Sequence, residues 1–194
     1  MKNTTPLPAA SPAAGADPRA DALTAFWRDA GPKRWFAKDA AFDRDLASRF
    51  GDLHFAAARG ELDAWSERLP DALALVLLFD QFPRNAFRGT AHAFATDPLA
   101  RRAADRLIAA GFDLAVDPAL RPFCYLPFMH SEHADDQRRS VALNAALDAS
   151  TARYARLHAG IVERFGRFPH RNRMLGRETT AAEQAFLDAG GFAG

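Results

Sequence analysis

Hydrophobic residues recur at three- and four-residue steps along most of the chain, the spacing that places side chains on one face of an α-helix. The clearest case runs from Ala40 to Arg59, where the apolar positions are Phe42, Leu46, Phe50, Leu53 and Ala57. Gly60 follows this run and predicts its end. No segment alternates apolar and polar residues convincingly, so the pattern predicts an all-α protein.

Two further segments give specific predictions about helix ends. Residues 71–82 are apolar on nearly every side, which predicts a helix in the interior. Pro83 is expected to end that helix and to leave residues 84–90 as an irregular corner. Asp97 predicts an N-cap, with Pro98 in the first helical position and Gly111 just past the helix end.

The remaining helices are expected at residues 19–28, 133–149 and 151–165 and after residue 176, where Thr180 and Glu183 match a capping box. Residues 117–131 contain three prolines, which predict short turns in place of one long helix. Helices of this length with short connections are expected to stack as antiparallel pairs. No strict 34-residue tetratricopeptide repeat is present, but a degenerate array of helical hairpins fits the lengths.

The length of 194 residues indicates one domain, which we place at residues 19–190. Residues 1–18 are expected to form a disordered tail, because they are rich in Pro, Ala and Ser and have no apolar core of a secretory signal. The longest apolar run, Ala72 to Phe79, is too short to span a bilayer. We therefore expect a cytoplasmic protein without membrane contact.

Charge and cysteine content narrow the classes of partner. Lys+Arg 25 against Asp+Glu 24 leaves a formal charge of +1, so no global field favours binding to nucleic acid. Nearly all the cations are arginines, whose planar guanidinium groups suit carboxylate or phosphate. Cys124 is the single cysteine; its apolar neighbours predict a buried, inert thiol.

Two segments share one pattern of residues, and we name them the first and second Phe-Pro corners. The first corner is Gln81 to Gly89 and the second is Arg167 to Arg177. Each places Phe-Pro after a helix, followed by an Arg-Asn pair and by an arginine beside a glycine. Proline halts a helix and frees a carbonyl that asparagine can bond, while the arginines project from a rigid turn.

These corners supply the candidate ligand-binding residues. If the corners converge in space, their arginines need an anion, which is Asp80, Glu132 or a bound ligand. If they do not converge, the Arg and Asn side chains serve to bond carbonyls at helix ends. The candidates are Asp80, Arg84, Asn85, Arg88, Arg171, Asn172 and Arg177.

The segment between the corners supplies the candidate acid-base residues. His130 has an ordinary pKa near neutrality, and Glu132 or Asp80 could orient it, while His170 lies in the second corner. A metal site at His130, Glu132 and His133 is disfavoured, because the spacing is not HExxH and no second ligand group is apparent. Ser131 as an N-cap accounts for the same residues more simply. We predict no metal and no cofactor.

Several motifs together resemble a known family. They are Phe26–Trp27, Gly31–Phe36, Leu78–Asn85, Phe87–Thr90, Phe94–Asp97, Tyr125–Glu132 and Phe165–Asn172. In this order they resemble the bacterial domain-of-unknown-function family 924, from about Ala22 to Leu187. The resemblance implies a right-handed, tetratricopeptide-like all-α array, and it brings no established activity.

Three functions remain open from the sequence. The first is a pocket lined by Arg, His and Asn for a small anionic ligand, with histidine as general acid or base, as in an enzyme. The second is a tetratricopeptide-like module that binds a peptide segment or a protein without catalysis. The third is a structural role, in which the corners only hold the fold. The oligomeric state is not predicted.

Overall fold

The computed structural model of the chain describes residues 16–193, which form helices joined by short turns. No β-strand occurs in this range, which confirms the all-α prediction. The predicted tail, residues 1–18, lies almost entirely outside the described residues. The helices are α1 (Pro18–Ala30), α2 (Pro32–Trp35), α3 (Ala40–Ala58), α4 (Leu69–Val76), α5 (Phe82–Ala86), α6 (Asp97–Ala109), α7 (Arg121–Met129), α8 (Ala134–Ala145), α9 (Ala149–Phe165) and α10 (Ala181–Asp188). None of these helices is both long and apolar enough to cross a membrane.

The centre of the fold is a continuous helical segment from Leu69 to Ala86. It begins as α4, passes through a π-helical turn at Leu77–Gln81 and continues as α5. Residues 71–83 are all buried, and α4 packs against α1, α6 and α7. The prediction of an interior helix is therefore confirmed, but the prediction that Pro83 ends it is wrong.

Pro83 lies in the first turn of α5, where the wide π turn before it makes room. A proline inside a regular α-helix cannot donate to the carbonyl four residues earlier, and its ring clashes with that carbonyl. Here the carbonyl is that of Phe79, and the Thr96 hydroxyl donates to it at 2.7 Å. Nδ2 of Asn85 donates to the Gln81 carbonyl at 2.8 Å. The Thr96 hydroxyl therefore takes the place of the amide that Pro83 cannot offer to Phe79, and Asn85 adds a side-chain bond in the next turn.

The C-terminal end of α6 and the N-terminal end of α10 agree with the sequence pattern, whereas the N-terminal end of α6 does not. Gly111 follows α6 with a positive φ of 72°, as expected for a glycine past a helix end. The capping box at Thr180 and Glu183 is present. The N-cap of α6 is Thr96, however, and no side chain makes a capping hydrogen bond there. Asp97 is the first residue inside the helix. The predicted N-cap role of Asp97 is therefore wrong.

Two further predictions near residue 130 are also wrong. Residues 121–129 form the single helix α7, which tolerates Pro122 in its first turn and Pro127 in its interior. Gln137 stabilises the far end by donating to the Met129 carbonyl at 2.8 Å. Ser131 is not an N-cap, since α8 begins after His133, and its hydroxyl instead donates to Asp136 Oδ2 at 2.6 Å.

Two hydrophobic clusters position the elements described below. The larger one surrounds α4 and contains most of the buried aromatic residues and Cys124, which is 0% exposed. The prediction of a buried thiol is confirmed, and burial raises the pKa of the Cys124 thiol to about 12, which disfavours the reactive thiolate. The smaller cluster joins Ile161 and Val162 of α9 to Phe168. It therefore anchors the second Phe-Pro corner to α9.

Candidate functional site

The two Phe-Pro corners meet around the carboxylate of Asp97. Nη2 of Arg84, from the first corner, lies 2.9 Å from Asp97 Oδ1. Nη1 of Arg171, from the second corner, donates to Asp97 Oδ2 at 3.3 Å. The two corners therefore converge on one side chain, although 74 residues of sequence separate Asp97 from Arg171.

The end of α7 reaches the same place through Asp80. Nη1 of Arg84 lies 3.1 Å from Asp80 Oδ1, and Nδ1 of His130 lies 2.8 Å from the same oxygen. We name Asp80, Arg84, Asp97, His130 and Arg171 the central cluster. Each residue belongs to a helix or to a short helical turn, so the backbone fixes their relative positions.

Arg171 is held rigidly between two aromatic rings. The centre of its guanidinium group lies 4.6 Å from the ring of Phe94 and 4.5 Å from the ring of Phe168. Aromatic faces attract cations, and the two rings restrict the rotation of the side chain. Burial, and then the charge of Arg84, lower the pKa of Arg171 to about 10. Arg171 is therefore a buried, preorganised cation that remains charged at neutral pH.

Asp80 and His130 form a carboxylate-imidazole pair. Burial acts to raise the pKa of Asp80, but the charges of Arg84 and His130 outweigh it and hold the pKa below its usual range. Burial, and then Arg84, lower the pKa of His130 from 6.5 to about 4. At neutral pH an ionised Asp80 therefore accepts a hydrogen bond from Nδ1–H of a neutral imidazole. Nε2 of His130 is left as an acceptor, and no hydrogen bond within residues 16–193 uses it.

Several buried polar atoms at this place have no hydrogen-bond partner within residues 16–193. They are Arg84 Nη2, Asp97 Oδ1, His170 Nδ1 and Arg171 Nε. Arg84 Nη2 and Asp97 Oδ1 attract each other at 2.9 Å but lack the alignment of a hydrogen bond. Proteins pair nearly all their buried polar groups, so such a concentration is typical of a site that a ligand or ordered water completes. The site also reaches solvent, since the side chains of Arg84 and His130 are 17% and 16% exposed.

A second ion pair, between Glu132 and Arg177, lies beside the central cluster and connects the second corner to the segment after α7. Glu132 accepts hydrogen bonds from the Phe168 amide at 2.8 Å and from Arg177 Nη1 at 2.7 Å. Nε of Arg177 also donates to Asn172 Oδ1 at 3.0 Å. Burial acts to raise the pKa of Glu132, but Arg177 outweighs it and the pKa is lowered. Among the described contacts, Asp80 and not Glu132 is the carboxylate that binds His130.

The other predicted site residues are divided between the cluster and its surroundings. Arg88 pairs with Asp43 of α3 at 3.0 Å and donates to Asn85 Oδ1 at 3.0 Å, so the structure does not bring Arg88 to the central cluster. Among the described residues, Asn85 bonds Gln81 and Arg88 of its own corner. His170 lies beside Arg171, with its ring 5.7 Å from that of Phe168. Burial, and then Arg171, lower the pKa of His170 to about 3.

Comparison with known proteins identifies the relatives of this chain. The family described as "Bacterial protein of unknown function (DUF924)" matches residues 23–191. The chain belongs to the DUF924 family. It is also similar to the solved structure of the protein of unknown function ATU0120 from Agrobacterium tumefaciens, with 55% identity and a TM-score of 0.86 over 88% of this chain and 97% of that chain. No curated protein matches it.

Two functional candidates in this DUF924 protein escaped the sequence reasoning, namely Asp97 and Phe94. Asp97 follows Thr96 at a helix start, where a capping role explains an aspartate without reference to distant arginines. Phe94 was one aromatic residue among many. The signal that could have found them is the motif Phe94–Asp97, on which the resemblance to the family partly rests. Within residues 16–193, no three His, Cys, Asp or Glu side chains are arranged to hold a metal ion.

Proposed function

We propose that this protein binds a small anionic ligand, a carboxylate or a phosphate, at the central cluster. The observation that carries this proposal is the convergence of the buried Arg171 and the partly buried Arg84 on the single carboxylate of Asp97, with Arg171 Nε left unpaired within residues 16–193. A guanidinium group matches the planar oxygens of a carboxylate and two oxygens of a phosphate. His170 and the pair formed by Glu132 and Arg177 line the same region.

The unpaired guanidinium groups of the cluster favour an added anion. Arg84 and Arg171 are near enough that the charge of Arg84 lowers the pKa of Arg171. Asp97 lies between them and Asp80 contacts Arg84, so two carboxylates offset the two charges, but Arg84 Nη2 and Arg171 Nε have no hydrogen-bond partner within residues 16–193. An anion that accepts from both guanidinium groups satisfies these donors, and its hydrogen bonds are strong because the surroundings are largely buried.

His130 is the group that we propose to accept or release a proton during catalysis. Its Nδ1 is fixed by Asp80, so Nε2 is the nitrogen available to a ligand. Two nearby arginines contribute to its low pKa, and an anion bound to them reduces their influence. Ligand binding therefore raises the pKa of His130 toward neutrality, where general acid-base catalysis is most efficient. His170 is a second candidate for this role.

The alternative is a tetratricopeptide-like array of helical hairpins that binds a peptide without catalysis. In its favour, a surface groove of ≈ 490 Å³ lies between α1 and α3. Most of the charged side chains in that groove already have partners, however, since Arg34 pairs with Asp39 at 3.9 Å and Arg49 with Asp45 at 2.9 Å. Arg49 also covers the ring of Phe26 at 5.2 Å. The central cluster offers more unpaired groups, so we place the function there.

Thermal-shift measurements with a panel of carboxylates and phosphates test the proposal. We expect a saturable rise in Tm of the unaltered protein. The rise should disappear in Arg84→Gln and persist in Arg88→Gln, the matched control one helical turn away. Loss of the rise in Arg49→Gln alone would move the site to the groove between α1 and α3. No rise with any compound, or equal loss in Arg84→Gln and Arg88→Gln, contradicts the proposal.

A further inference from the structure

The site presents hydrogen-bond acceptors beside its arginines. Nδ1 of His158 lies 2.8 Å from the carbonyl oxygen of Tyr154, which can only accept, so this Nδ1 carries the proton. His130 has the same tautomer because its Nδ1 faces Asp80. Both imidazoles therefore present Nε2 as an acceptor. Their ring centres are 6.4 Å apart.

In the ligand-free protein these rings are neutral at physiological pH, so both Nε2 atoms are acceptors when a ligand arrives. Burial lowers the pKa of both His130 and His158, and Arg84 and Arg171 contribute in each case. Oδ1 of Asp97 is a further acceptor that has no hydrogen bond within residues 16–193. The unpaired groups around the two arginines are therefore mainly acceptors.

A simple anion cannot satisfy this arrangement. The oxygens of an ionised carboxylate or of a fully ionised phosphate ester only accept hydrogen bonds, so they suit the guanidinium groups and offer nothing to an imidazole Nε2. A buried acceptor that loses its water without gaining a donor weakens binding. A ligand that fits the whole site must therefore bring a donor as well as an acidic group.

We infer that the ligand is a small anion with a hydroxyl or amino group next to its acidic group. This inference rests on the proposed anion site. The acidic group binds Arg84 and Arg171, and the donor binds Nε2 of His130. The class includes hydroxy acids, amino acids and phosphate esters that carry a neighbouring hydroxyl.

The distances within the cluster support this arrangement. Asp80 Oδ1 contacts both Arg84 Nη1, at 3.1 Å, and His130 Nδ1, at 2.8 Å. The guanidinium group and the imidazole ring are therefore neighbours. A compact ligand, with its donor close to its acidic group, suits two groups that are such near neighbours.

Matched pairs of ligands test the inference by calorimetric titration of the full chain. Glycolate adds one hydroxyl donor to acetate, and glycerol 3-phosphate adds hydroxyl groups to propyl phosphate. We expect the member with the donor to bind about tenfold more tightly, the effect of one satisfied buried acceptor. Equal binding within every pair overturns the inference and leaves the anion site intact. No binding of any member contradicts the anion site itself.

A conservative variant assigns the donor preference to His130. In His130→Asn, the amide nitrogen can replace Nδ1 as donor to Asp80, while the acceptor Nε2 is lost. We expect acetate to bind this variant as it binds the unaltered protein, and glycolate to lose its tenfold advantage. His133→Asn is the matched control, because His133 is exposed. A preference that survives in His130→Asn overturns the inference, and the ligand pairs with the unaltered protein remain decisive if the variant does not fold.

Discussion

The two Phe-Pro corners are similar in sequence and different in structure. At the first corner the helix continues through Pro83 by way of a π turn, and Asn85 bonds a carbonyl of its own helix. At the second corner α9 ends at Phe165, and Pro169 begins a separate 3-10 turn. The same short pattern therefore occurs once inside a helix and once after a break.

The residues before each proline explain the difference. Gly166 adopts a positive φ of 70°, which ends α9 and lets Phe168 take an extended conformation before Pro169. No glycine lies in residues 69–82, directly before Pro83, and the burial of residues 71–82 keeps this segment helical. The wide turn, with Thr96 on the freed Phe79 carbonyl, then accommodates the ring of Pro83. Both corner conformations nevertheless place an arginine beside Asp97.

The largest expected effect is at the second corner, where Arg171 is the more deeply buried arginine. Arg171→Ala empties the space between Phe94 and Phe168 and leaves Asp97 with one partner, so we expect a loss of roughly 3–5 kcal/mol in the free energy of unfolding. Arg84→Ala should cost less, because 17% of that side chain is exposed and water can replace it. Urea denaturation measures the free energy of unfolding of both variants. Arg173→Ala is the control, because Arg173 is exposed. A smaller effect for Arg171→Ala than for Arg84→Ala would contradict this ranking.

Acid should destabilise the protein through two histidines of the candidate site, His130 at the end of α7 and His170 in the second corner. Unfolded histidines titrate near pH 6.5, whereas the pKa is about 4 for His130 and about 3 for His170 in the folded protein. The unfolded state therefore binds more protons in this window, and stability falls as pH is lowered from 6.5 toward 4, by on the order of 3 kcal/mol per histidine. Urea denaturation at a series of pH values should show a flatter profile for His130→Asn and His170→Asn. A profile unchanged from that of His133→Asn would refute this assignment.

A smaller effect is expected from the hydroxyl that supports the first corner. Thr96→Val keeps the shape of the side chain and leaves the buried Phe79 carbonyl unsatisfied, which should cost about 1–3 kcal/mol. Thr90→Val is the control, because the Thr90 hydroxyl bonds an exposed carbonyl at 2.8 Å. Thermal unfolding of the two variants measures the difference. Equal losses would mean that Thr96 does not support the π turn.

The smallest effect is expected from the proline that the sequence suggested as a helix end. Pro83→Ala supplies an amide where the helix is already formed, so we expect a change within about 1 kcal/mol in unfolding free energy. Pro169→Ala should cost more, because Pro169 begins a short 3-10 turn outside any long helix, where its fixed φ restricts the unfolded chain without help from a surrounding helix. Thermal unfolding of the two variants compares them. A large loss in Pro83→Ala and none in Pro169→Ala would reverse our explanation of the corners.

The sequence predicted the helices well and the contacts between corners only in outline. The periodic run before Gly60 and the capping box at Thr180 are local signals, and both are confirmed. The π turn and the helix through Pro127 depend on distant partners, Thr96 for the first and Gln137 for the end of the second. No local pattern reveals such partners.

The candidate site was also predicted only in part, because its contacts join residues that are distant in the sequence. Arg84, His130 and Arg171 stand out as polar residues in rigid turns, and the structure brings them together. Asp97, which joins the corners, resembles an ordinary helix start in the sequence. Arg88 repeats the pattern of the first corner, but it lies on the exposed side and pairs with Asp43. A repeated motif therefore predicted the type of residue and not the direction of each side chain.

Ligand binding at the central cluster is tested most directly by an NMR titration that follows the Nε–H resonance of Arg171 while glycolate is added. This group is buried and unpaired within residues 16–193, so a ligand at the central cluster should shift it saturably. The Nε–H of Arg167, which already donates to Glu183 at 2.6 Å, should not move. A saturable shift of Arg171 and not of Arg167 is the predicted result. An unchanged Arg171 resonance at concentrations where glycolate raises Tm would contradict the account.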